Sequence, residues 1–338
     1  MLQNILKAKD KLGKKMSCAA GKLPKIALTM GDAAGIGPEL LVKAVCAKEF
    51  QGRAEFVLYG EKEILQKSFE DFGNGVTLDE CKFVETSKLL LFRKLKIAQA
   101  SSECGVAAHE AVKQATLDAL AKKVDAIVTL PMNKYSVNLA GINFSGHTEF
   151  IAGLCQCNEF AMMQSSGKLH VAFVTTHIPI REVAQSINCK RVMLVAQMLY
   201  DSLIQEGISM PKLAIMALNP HAGENGCMGR EDEEITRVAI NSLRDKGLDV
   251  DDMVVPDVIF ANKNYLKYDG IVSMYHDQGH IPFKMLAFSS GVNSTLGLPI
   301  IRISPDHGSA FDIAWQGKAD TGSFFAAIEL AIKRAENL

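Results

Sequence analysis

The sequence lacks an excess of charge of either sign. It contains 37 Lys and Arg residues against 38 Asp and Glu residues, which gives a formal net charge of −1. Proteins that bind nucleic acids usually present a basic face, so we expect no nucleic-acid partner. No apolar run approaches the roughly 18 residues that a membrane-spanning helix requires, so we also expect no membrane-spanning segment.

Cysteines spaced for a metal site are missing as well. Eight cysteines are scattered along the 338 residues, and Cys155 and Cys157 form only a C-x-C pair. This spacing is poor evidence for zinc, whereas scattered reduced cysteines are typical of cytoplasmic proteins. Residues 1–22 are basic but lack the apolar segment of a secretory signal, so we interpret them as an N-terminal extension. We therefore expect a cytoplasmic protein.

The two common nucleotide-binding loops are absent. MGDAAGIGPE, residues 30–39, matches neither G-x-G-x-x-G nor the Walker A pattern, because no Gly-Lys-Ser/Thr follows it. Its glycines Gly31, Gly35 and Gly37 still permit a tight turn between a strand and a helix, close to a ligand. Pro38 suits the first turn of that helix, where a missing N–H costs nothing.

Short apolar runs alternate with longer helical patterns along the chain. The predicted strands are KIALTM, EFVLYG, DAIVTLP, KLHVAFVTT, KLAIMALN, DGIVSMY and PIIRIS. The predicted helices are PELLVKAVCAKEF, EKEILQKSFEDF, residues 109–123, residues 190–206, REDEEITRVAINSLRDK and SFFAAIELAIKRAENL. Several strands are apolar throughout, as expected when both faces of a sheet are covered. This alternation, without a linker or repeat, predicts an α/β fold with a mainly parallel sheet.

Three of the predicted strands lead into a histidine. His177 comes just after KLHVAFVTT, His221 just after KLAIMALN and His276 just after DGIVSMY. In open α/β sheets, ligands bind beyond the carboxyl ends of the strands. Three neutral imidazoles at that edge suit a catalytic Zn²⁺, Co²⁺ or Mn²⁺ ion. The spacing thus leaves two interpretations open, a shared metal site or three histidines that are each an ordinary structural or exposed side chain.

Further polar groups occur in similar places. SGHTEF puts His147 and Thr148 just before a helical pattern, which indicates either an anion site at a helix N-terminus or an ordinary cap. Arg302 lies inside PIIRIS, a run too apolar for an idle arginine, so we expect it to have a buried anion partner. Lys284 is a second isolated cation near an apolar strand, and isolated cations are usually solvated.

Six motifs together resemble those of one known family. They are TMGDAAGIGPE, SGHTEF, TTHIPIREV, LNPHAGENG, MYHDQGHIPFK and RISPDHGSAFDIA, in this order from Thr29 to Ala314. The set resembles the 4-hydroxythreonine-4-phosphate dehydrogenase family of pyridoxal phosphate (vitamin B6) biosynthesis. That family includes a sister branch acting on sugar-acid phosphates, such as D-threonate or D-erythronate 4-phosphate.

The resemblance implies a fold and an assembly. The fold is α/β and similar to isocitrate and isopropylmalate dehydrogenases, not Rossmann, with two α/β subdomains flanking a cleft. Residues 23–140 plus 288–338 would form the cofactor side, and residues 141–287 the side for the metal and for dimerisation. The protein would be a homodimer with an active site shared across the interface, where His276 would act on the partner's site.

The resemblance also implies site residues. The metal ligands would be His177, His221 and His276. The substrate-binding residues would be His147, Thr148, Lys284, Asn293 and Arg302. NAD would be held through the stretch HGSAFDIAWQGKAD and the glycine-rich turn, by His307, Gly308, Asp312, Gly31 and Asp32. Asp257, Asp277 and Lys284 are unranked candidates for proton transfer, Gly279 and Pro282 would shape a turn, and His280 has no implied role.

The implied reaction is a metal-dependent, NAD-linked oxidation and decarboxylation of a phosphorylated hydroxy acid. The metal would be zinc, magnesium, cobalt or manganese. Two departures from the family pattern stand out: Asp257 lacks a neighbouring hydroxyl residue at Val258, and Trp315 stands where a glycine is expected. Trp315 would either stack on the adenine or crowd the cofactor. Alternatives of other classes are a phosphate acyltransferase on a related fold and a ligand sensor without catalytic activity.

Overall fold

The computed structural model describes residues 22–338 and is built around one large sheet. The prediction for the N-terminal extension therefore lies outside the described residues, except at Lys22. The strands are β1 Lys25–Thr29, β2 Glu55–Gly60, β3 Lys82–Glu85, β4 Ala126–Thr129, β5 Ala161–Ser166, β6 Leu169–Phe173, β7 Lys212–Ile215, β8 Asp249–Val250, β9 Gly270–Ser273, β10 Val292–Leu296 and β11 Ile301–Pro305. They form an 11-stranded sheet in the order β3-β2-β1-β4-β11-β10-β5-β6-β9-β7-β8.

Helices cover both faces of the sheet. They are α1 Gly37–Cys46, α2 Lys62–Phe72, α3 Ser102–Leu120, α4 Lys134–Leu139, α5 His147–Leu154, α6 Ile180–Ser186, α7 Cys189–Gln205, α8 Arg237–Asp245, α9 Pro256–Ile259, α10 His276–Ala287 and α11 Gly322–Ala335. Every predicted strand and helix is present, which confirms the α/β class. Pro38 lies in the first turn of α1, as expected.

Strand direction reverses in the middle of the sheet. The pairs β11–β10, β10–β5 and β5–β6 are antiparallel, and the remaining pairs are parallel. The strands from β3 to β11 therefore run opposite to those from β6 to β8. The sequence did not reveal β5 (AMMQSS) and β10 (VNSTL), because their buried residues include amide and hydroxyl side chains and do not form an apolar run.

Each half of the sheet is packed between two apolar clusters. In the first half, one cluster contains Leu28 and Phe324, and the cluster on the other face contains Ile127. In the second half, Val272 belongs to one cluster and Phe173 to the other. Burial of this much apolar surface is the main stabilising contribution to the fold. The central strands β11, β10 and β5 lie between the two pairs of clusters.

The segment after β9 is a helix, and the predicted turn between His276 and Lys284 is wrong. α10 contains both Gly279 and Pro282. Gly279 is needed for close packing, because a Cβ there would lie 2.7 Å from Cε1 of Phe173. Pro282 lacks an N–H and so removes one hydrogen bond inside the helix, a local cost that the packing of α10 on the sheet offsets.

A buried ionic cluster joins the two halves of the sheet at a place away from His177, His221 and His276. Arg334, on α11, donates from Nη2 to Oε1 of Glu206 over 2.7 Å, and Glu206 follows α7. Oε2 of the same carboxylate lies 3.2 Å from Nε2 of His170, on β6. Burial alone would raise the pKa of Glu206, but the hydrogen bond with His170 and the charge of Arg334 lower it to about 2.

None of the helices within residues 22–338 is long and apolar enough to cross a membrane. The cysteines of the same part of the chain are free thiols, Cys155 and Cys157 among them.

Candidate active site

A strip of polar side chains occupies one face of the central strands. Residues that are paired across a sheet share a face. The register of β10 and β11, in which Ser294 is paired with Ile303, places Thr295 opposite Arg302. The register of β10 and β5 pairs Asn293 with Gln164. The neighbours of this strip on the same face are the apolar clusters around Ile127 and Phe173. The strip therefore fills the gap between the two cores, where a ligand can contact both halves.

Arg302 is buried in this strip without an anion. Its side chain is 3 % exposed and donates to Oγ1 of Thr295 over 3.2 Å and to Oγ1 of Thr129 over 3.0 Å. Nε has no partner, and no carboxylate of residues 22–338 pairs with the guanidinium. Burial lowers the pKa of Arg302 to about 10, against the opposing charge of Glu149. The expected anion partner is therefore not a protein side chain, and the buried charge favours an anionic ligand.

Other unpartnered polar atoms accompany Arg302. His147 begins α5, and burial together with the charge of Arg302 lowers its pKa to about 3, so the ring is neutral. Its Nε2 and Oδ1 of Asn293 are buried without a hydrogen-bond partner. Thr148 follows His147 in the first turn of α5 and is partly buried. Because buried polar groups are normally paired, this concentration indicates a site for a polar ligand.

His177 and His276 meet in the single chain. His177 follows β6 and His276 begins α10, and their ring centroids are 5.6 Å apart. Oδ1 of Asp277 lies 2.7 Å from Nδ1 of His276, which orients that ring and leaves Nε2 free. Imidazoles held by a carboxylate in this way are typical metal ligands, so this pair fits a divalent cation.

His221 does not join that pair within the chain. Strands β6, β9 and β7 are parallel neighbours, so their histidines do leave the sheet at the same edge, as predicted. His221, however, is exposed on the segment Pro220–Gly226 with φ of 51°. No three His, Cys, Asp or Glu residues among residues 22–338 are grouped to hold a metal. Within one chain His276 lies beside His177, and its assignment to the partner's site stays a prediction.

Lys284 lies two turns after His276 on α10 and forms an ion pair with Asp306. Nε2 of Gln164 donates to the other carboxylate oxygen of Asp306 over 3.1 Å. The sequence analysis assigned no role to Gln164 or Asp306. The only available signal for Asp306 was its place in SPDHGSA, between a predicted strand and the cofactor stretch.

Asp257 stands apart from these groups. It is exposed in the first turn of α9. Its carboxylate makes no hydrogen bond or ion pair within the described part of the chain. Its role in proton transfer stays a prediction.

The predicted cofactor residues lie after β11 and after β1. Gly308 and Asp312 are exposed, and a Cβ at Gly308 would meet no atom within 4 Å. Nε2 of His307 is buried without a partner. The carbonyl of Ser309 accepts a hydrogen bond from the backbone N–H of Ile36 over 3.0 Å, so this loop rests on the start of α1. An open loop with an unpartnered imidazole nitrogen fits a nucleotide.

Gly31 and Asp32 form the turn between β1 and α1. Gly31 has φ of +71°, and a Cβ there would lie 2.6 Å from the carbonyl oxygen of Pro131. Asp32 accepts hydrogen bonds from the N–H of Ala34 over 2.9 Å and from Oγ of Ser136 over 3.1 Å, and burial raises its pKa. These contacts account for both residues, and their role toward the cofactor stays a prediction.

Trp315 is held by the protein itself. Its Nε1 donates to the carbonyl of Ala33 over 2.9 Å, and its ring centroid lies 5.0 Å from that of Phe92 and 6.0 Å from that of Phe72. Its φ of 60° explains why a glycine suits this position. The indole thus packs against two aromatic rings of the protein, and its role toward the cofactor stays a prediction.

A family model described as pyridoxal phosphate biosynthetic protein PdxA matches residues 52–331. The chain is 38% identical over 316 residues to a 4-hydroxythreonine-4-phosphate dehydrogenase from Sulfurihydrogenibium sp., covering 91% of this chain and 97% of that relative. It is 40% identical over 326 residues to a D-threonate 4-phosphate dehydrogenase from Salmonella typhimurium, covering 92% and 98%. The crystal structure of 4-hydroxythreonine-4-phosphate dehydrogenase from Klebsiella pneumoniae superposes with a TM-score of 0.79 at 37% identity, covering 92% and 99%.

Two more distant solved structures share the fold alone. Isocitrate dehydrogenase from Methylococcus capsulatus gives a TM-score of 0.52 at 15% identity, covering 93% of this chain and 88% of that chain. A branched-chain phosphotransacylase from Enterococcus faecalis gives 0.57 at 11% identity, covering 92% and 99%. The first agrees with the fold that the sequence motifs implied.

Proposed function

The chain belongs to the PdxA family of pyridoxal phosphate biosynthetic proteins, and on this premise we propose that it is a metal-dependent, NAD-linked dehydrogenase. Its substrate would be 4-phosphohydroxy-L-threonine, oxidised and decarboxylated to 3-amino-2-oxopropyl phosphate, CO₂ and NADH. The observation that carries the proposal is the buried, anion-free guanidinium of Arg302 beside the unpartnered His147 and Asn293. A doubly anionic substrate supplies what these groups lack.

Arg302 and Lys284 bind the phosphate and the carboxylate of the substrate. Arg302 has no carboxylate to displace, whereas Lys284 must exchange its ion pair with Asp306 for the ligand. His147, Thr148 and Asn293 hydrogen-bond the remaining oxygens. Charge-assisted hydrogen bonds of this kind are the strongest that side chains make, so they fix the orientation of the substrate.

His177 and His276 of one protomer would hold the metal, together with the partner's His221. When bound, the divalent metal would stabilise negative charge on the substrate oxygen and NAD would accept the hydride. Asp277 holds the ring of His276 through Nδ1. The loop with His307, Gly308 and Asp312, beside the turn with Gly31 and Asp32, receives the cofactor.

Two protons must be moved by the side chains of this chain. One leaves the substrate hydroxyl, and Asp277 and Asp257 are the candidates to accept it. The other goes to the carbon that CO₂ leaves, and Lys284 carries a suitable proton at Nζ. The exclusion of water between the two halves of the cleft strengthens all of these electrostatic interactions.

A second copy of the chain covers the exposed face of α10 in this proposal. Ile281, Met285 and Phe288 are 57%, 82% and 78% exposed, on or just after the helix that carries His276. Adjacent exposed apolar side chains of this size are typical of protein interfaces. Burying them in a homodimer also brings a third histidine within reach of the pair.

The two halves of the sheet act as the subdomains that flank the cleft. The expected division assigns residues 141–287 to the metal side, and this boundary stays a prediction. Phe144 and Ile151 lie within that range but pack with the first half of the sheet. A cytoplasmic location also stays a prediction.

D-Threonate 4-phosphate is the second candidate substrate, because relatives with that name are as similar as those named for the first. The test is NADH formation at 340 nm by metal-reconstituted protein, with 4-phosphohydroxy-L-threonine, D-threonate 4-phosphate and D-erythronate 4-phosphate offered separately, with and without a chelator. Chelator-sensitive turnover of the first supports the proposal. Turnover of a sugar-acid phosphate alone selects the second candidate, and no turnover of any of the three refutes both.

A further inference from the structure

His280 is buried in the candidate site and has no hydrogen-bond partner. Its side chain is 8 % exposed, and Nε2 is one of the buried polar atoms without a partner. The ring is held by two aromatic neighbours: it stacks on Phe173 with centroids 4.4 Å apart, and on His276 with centroids 4.0 Å apart. Its position is therefore defined even though its nitrogens are unused.

The ring lies between the two chemically distinct ends of the site. On a helix, residues four apart lie on the same face, so His276, His280 and Lys284 follow one another along α10. His276 belongs to the metal end and Lys284 to the anion end. Lys284 is ion-paired with Asp306, and the ring of His276 lies 5.6 Å from that of His177. A ligand that reaches from the metal to Lys284 must pass His280.

We propose that His280 contacts the substrate directly and hydrogen-bonds an oxygen on the carbon chain between the end near His276 and the end near Lys284. An imidazole offers one N–H donor and one acceptor nitrogen, which suits a hydroxyl group. A phenylalanine would pack against Phe173 and His276 equally well, without leaving a polar atom unsatisfied. The cost of burying an unpaired polar atom argues that a ligand completes it.

This inference rests on the proposed function, so its test separates the two. His280→Phe keeps a planar ring in the stack and removes both nitrogens. The matched control is His109→Phe, because His109 also stacks on a phenylalanine, Phe150, with centroids 4.1 Å apart. Two quantities are measured for each protein. One is the dissociation constant of the metal from the apoprotein, by competition with a chromophoric chelator. The other is the dissociation constant of each phosphorylated acid from the metal-loaded protein, by calorimetry without NAD.

We expect His280→Phe to bind the metal with an affinity within about twofold of wild type. Its affinity for the substrate should be about tenfold lower, because one hydrogen bond is lost. His109→Phe should change neither constant. His280→Asn, which keeps a donor and an acceptor, should recover part of the lost affinity and serves if the Phe variant does not fold. Unchanged substrate affinity in His280→Phe overturns this inference but not the proposed function. A loss of metal affinity as large as the loss of substrate affinity also overturns it, because His280 would then act by holding His276 in place. A wild-type protein that binds none of the acids overturns the proposed function as well.

Discussion

The rings of His177 and His276 lie 5.6 Å apart in one chain, although 98 residues separate the two histidines in the sequence. They meet because β6 and β9 are parallel neighbours in the sheet. His221 follows β7 on the other side of β9 but forms no group with them. In the proposed metal site, the fold of one chain would therefore bring two ligands together, and the partner subunit would supply the third.

Mixing inactive variants tests this division of the ligands. In a dimer of His177→Ala with His221→Ala, one site has lost two ligands and the other has lost none. Random reassociation should restore roughly one quarter of wild-type activity, because half the dimers are mixed and each has one intact site.

The matched mixture is His177→Ala with His276→Ala, for which we expect no recovery, since every site lacks a ligand. Recovery in this mixture and none in the first would return His276 to the partner's site. Activity is followed as NADH formation after dissociation and dilution of the two variants together.

Replacing Arg302 should separate binding from stability. Arg302→Met removes a buried charge that no protein carboxylate compensates, so the midpoint of thermal unfolding should stay constant or rise. Substrate affinity should fall at least about 100-fold, because the anion loses its buried partner. Calorimetric titration and thermal unfolding measure the two effects.

Arg191→Met is the control for this prediction. Arg191 donates to the carbonyls of Val174 over 3.1 Å and Phe160 over 2.9 Å. Its loss should destabilise the fold by about 1–3 kcal/mol and leave substrate affinity unchanged. Equal behaviour of the two variants would contradict a ligand-binding role for Arg302.

A methyl group at Gly279 should disturb α10. The added Cβ would lie 2.7 Å from Cε1 of Phe173 and 2.9 Å from Oγ of Ser273. We expect Gly279→Ala to destabilise the protein by about 1–3 kcal/mol in chemical denaturation. Gly153→Ala is the control, because a Cβ at this position of α5 meets nothing within 4 Å. That variant should be neutral or more stable by about 0.5–1 kcal/mol, and equal losses in both would contradict the close packing of α10.

Acid should weaken the junction between the two halves through Glu206. Its pKa is about 2 in the folded chain and 4.5 in the ordinary case, so folding favours the charged form. The resulting stabilisation, about 3 kcal/mol, is present above pH 4.5 and is lost as the pH falls toward 2.

Glu206→Gln should remove this pH dependence and leave Arg334 buried without an anion, which costs about 3–5 kcal/mol at pH 7. Urea denaturation between pH 2 and pH 7 measures both effects. Glu233→Gln, which affects an exposed pair with Arg237, should follow the wild-type profile. A wild-type slope in Glu206→Gln would assign the acid sensitivity to other carboxylates.

The sequence predicted those features that depend on local pattern. Apolar runs located the strands that lead into His177, His221 and His276, and motif order identified the family. It could not show which strands are neighbours, and the pairing of His177 with His276 depends on that. β5 and β10 were missed because Gln164, Asn293 and their neighbours are polar where the site needs them.

Long-range contacts explain the remaining errors. Gly279 was taken as a turn residue, but it is small because Phe173 packs on α10. Asp306 was not assigned because its meaning depends on Lys284, which is distant in the sequence. The sequence could not show the source of the anion expected for Arg302, whose partners among residues 22–338 are the hydroxyl groups of Thr129 and Thr295.

The course of α10 determines the distance between His276 and Lys284, which lie at the two ends of the proposed substrate site. Because the strands reverse direction at the centre of the sheet, a helix that begins at the histidine edge must run back toward the loop after β11. It carries His276 at one end and Lys284 eight residues later, so the two are separated along the axis by roughly 12 Å. In the proposed site, the length of the acid that fits would therefore depend on the number of helical turns between His276 and Lys284.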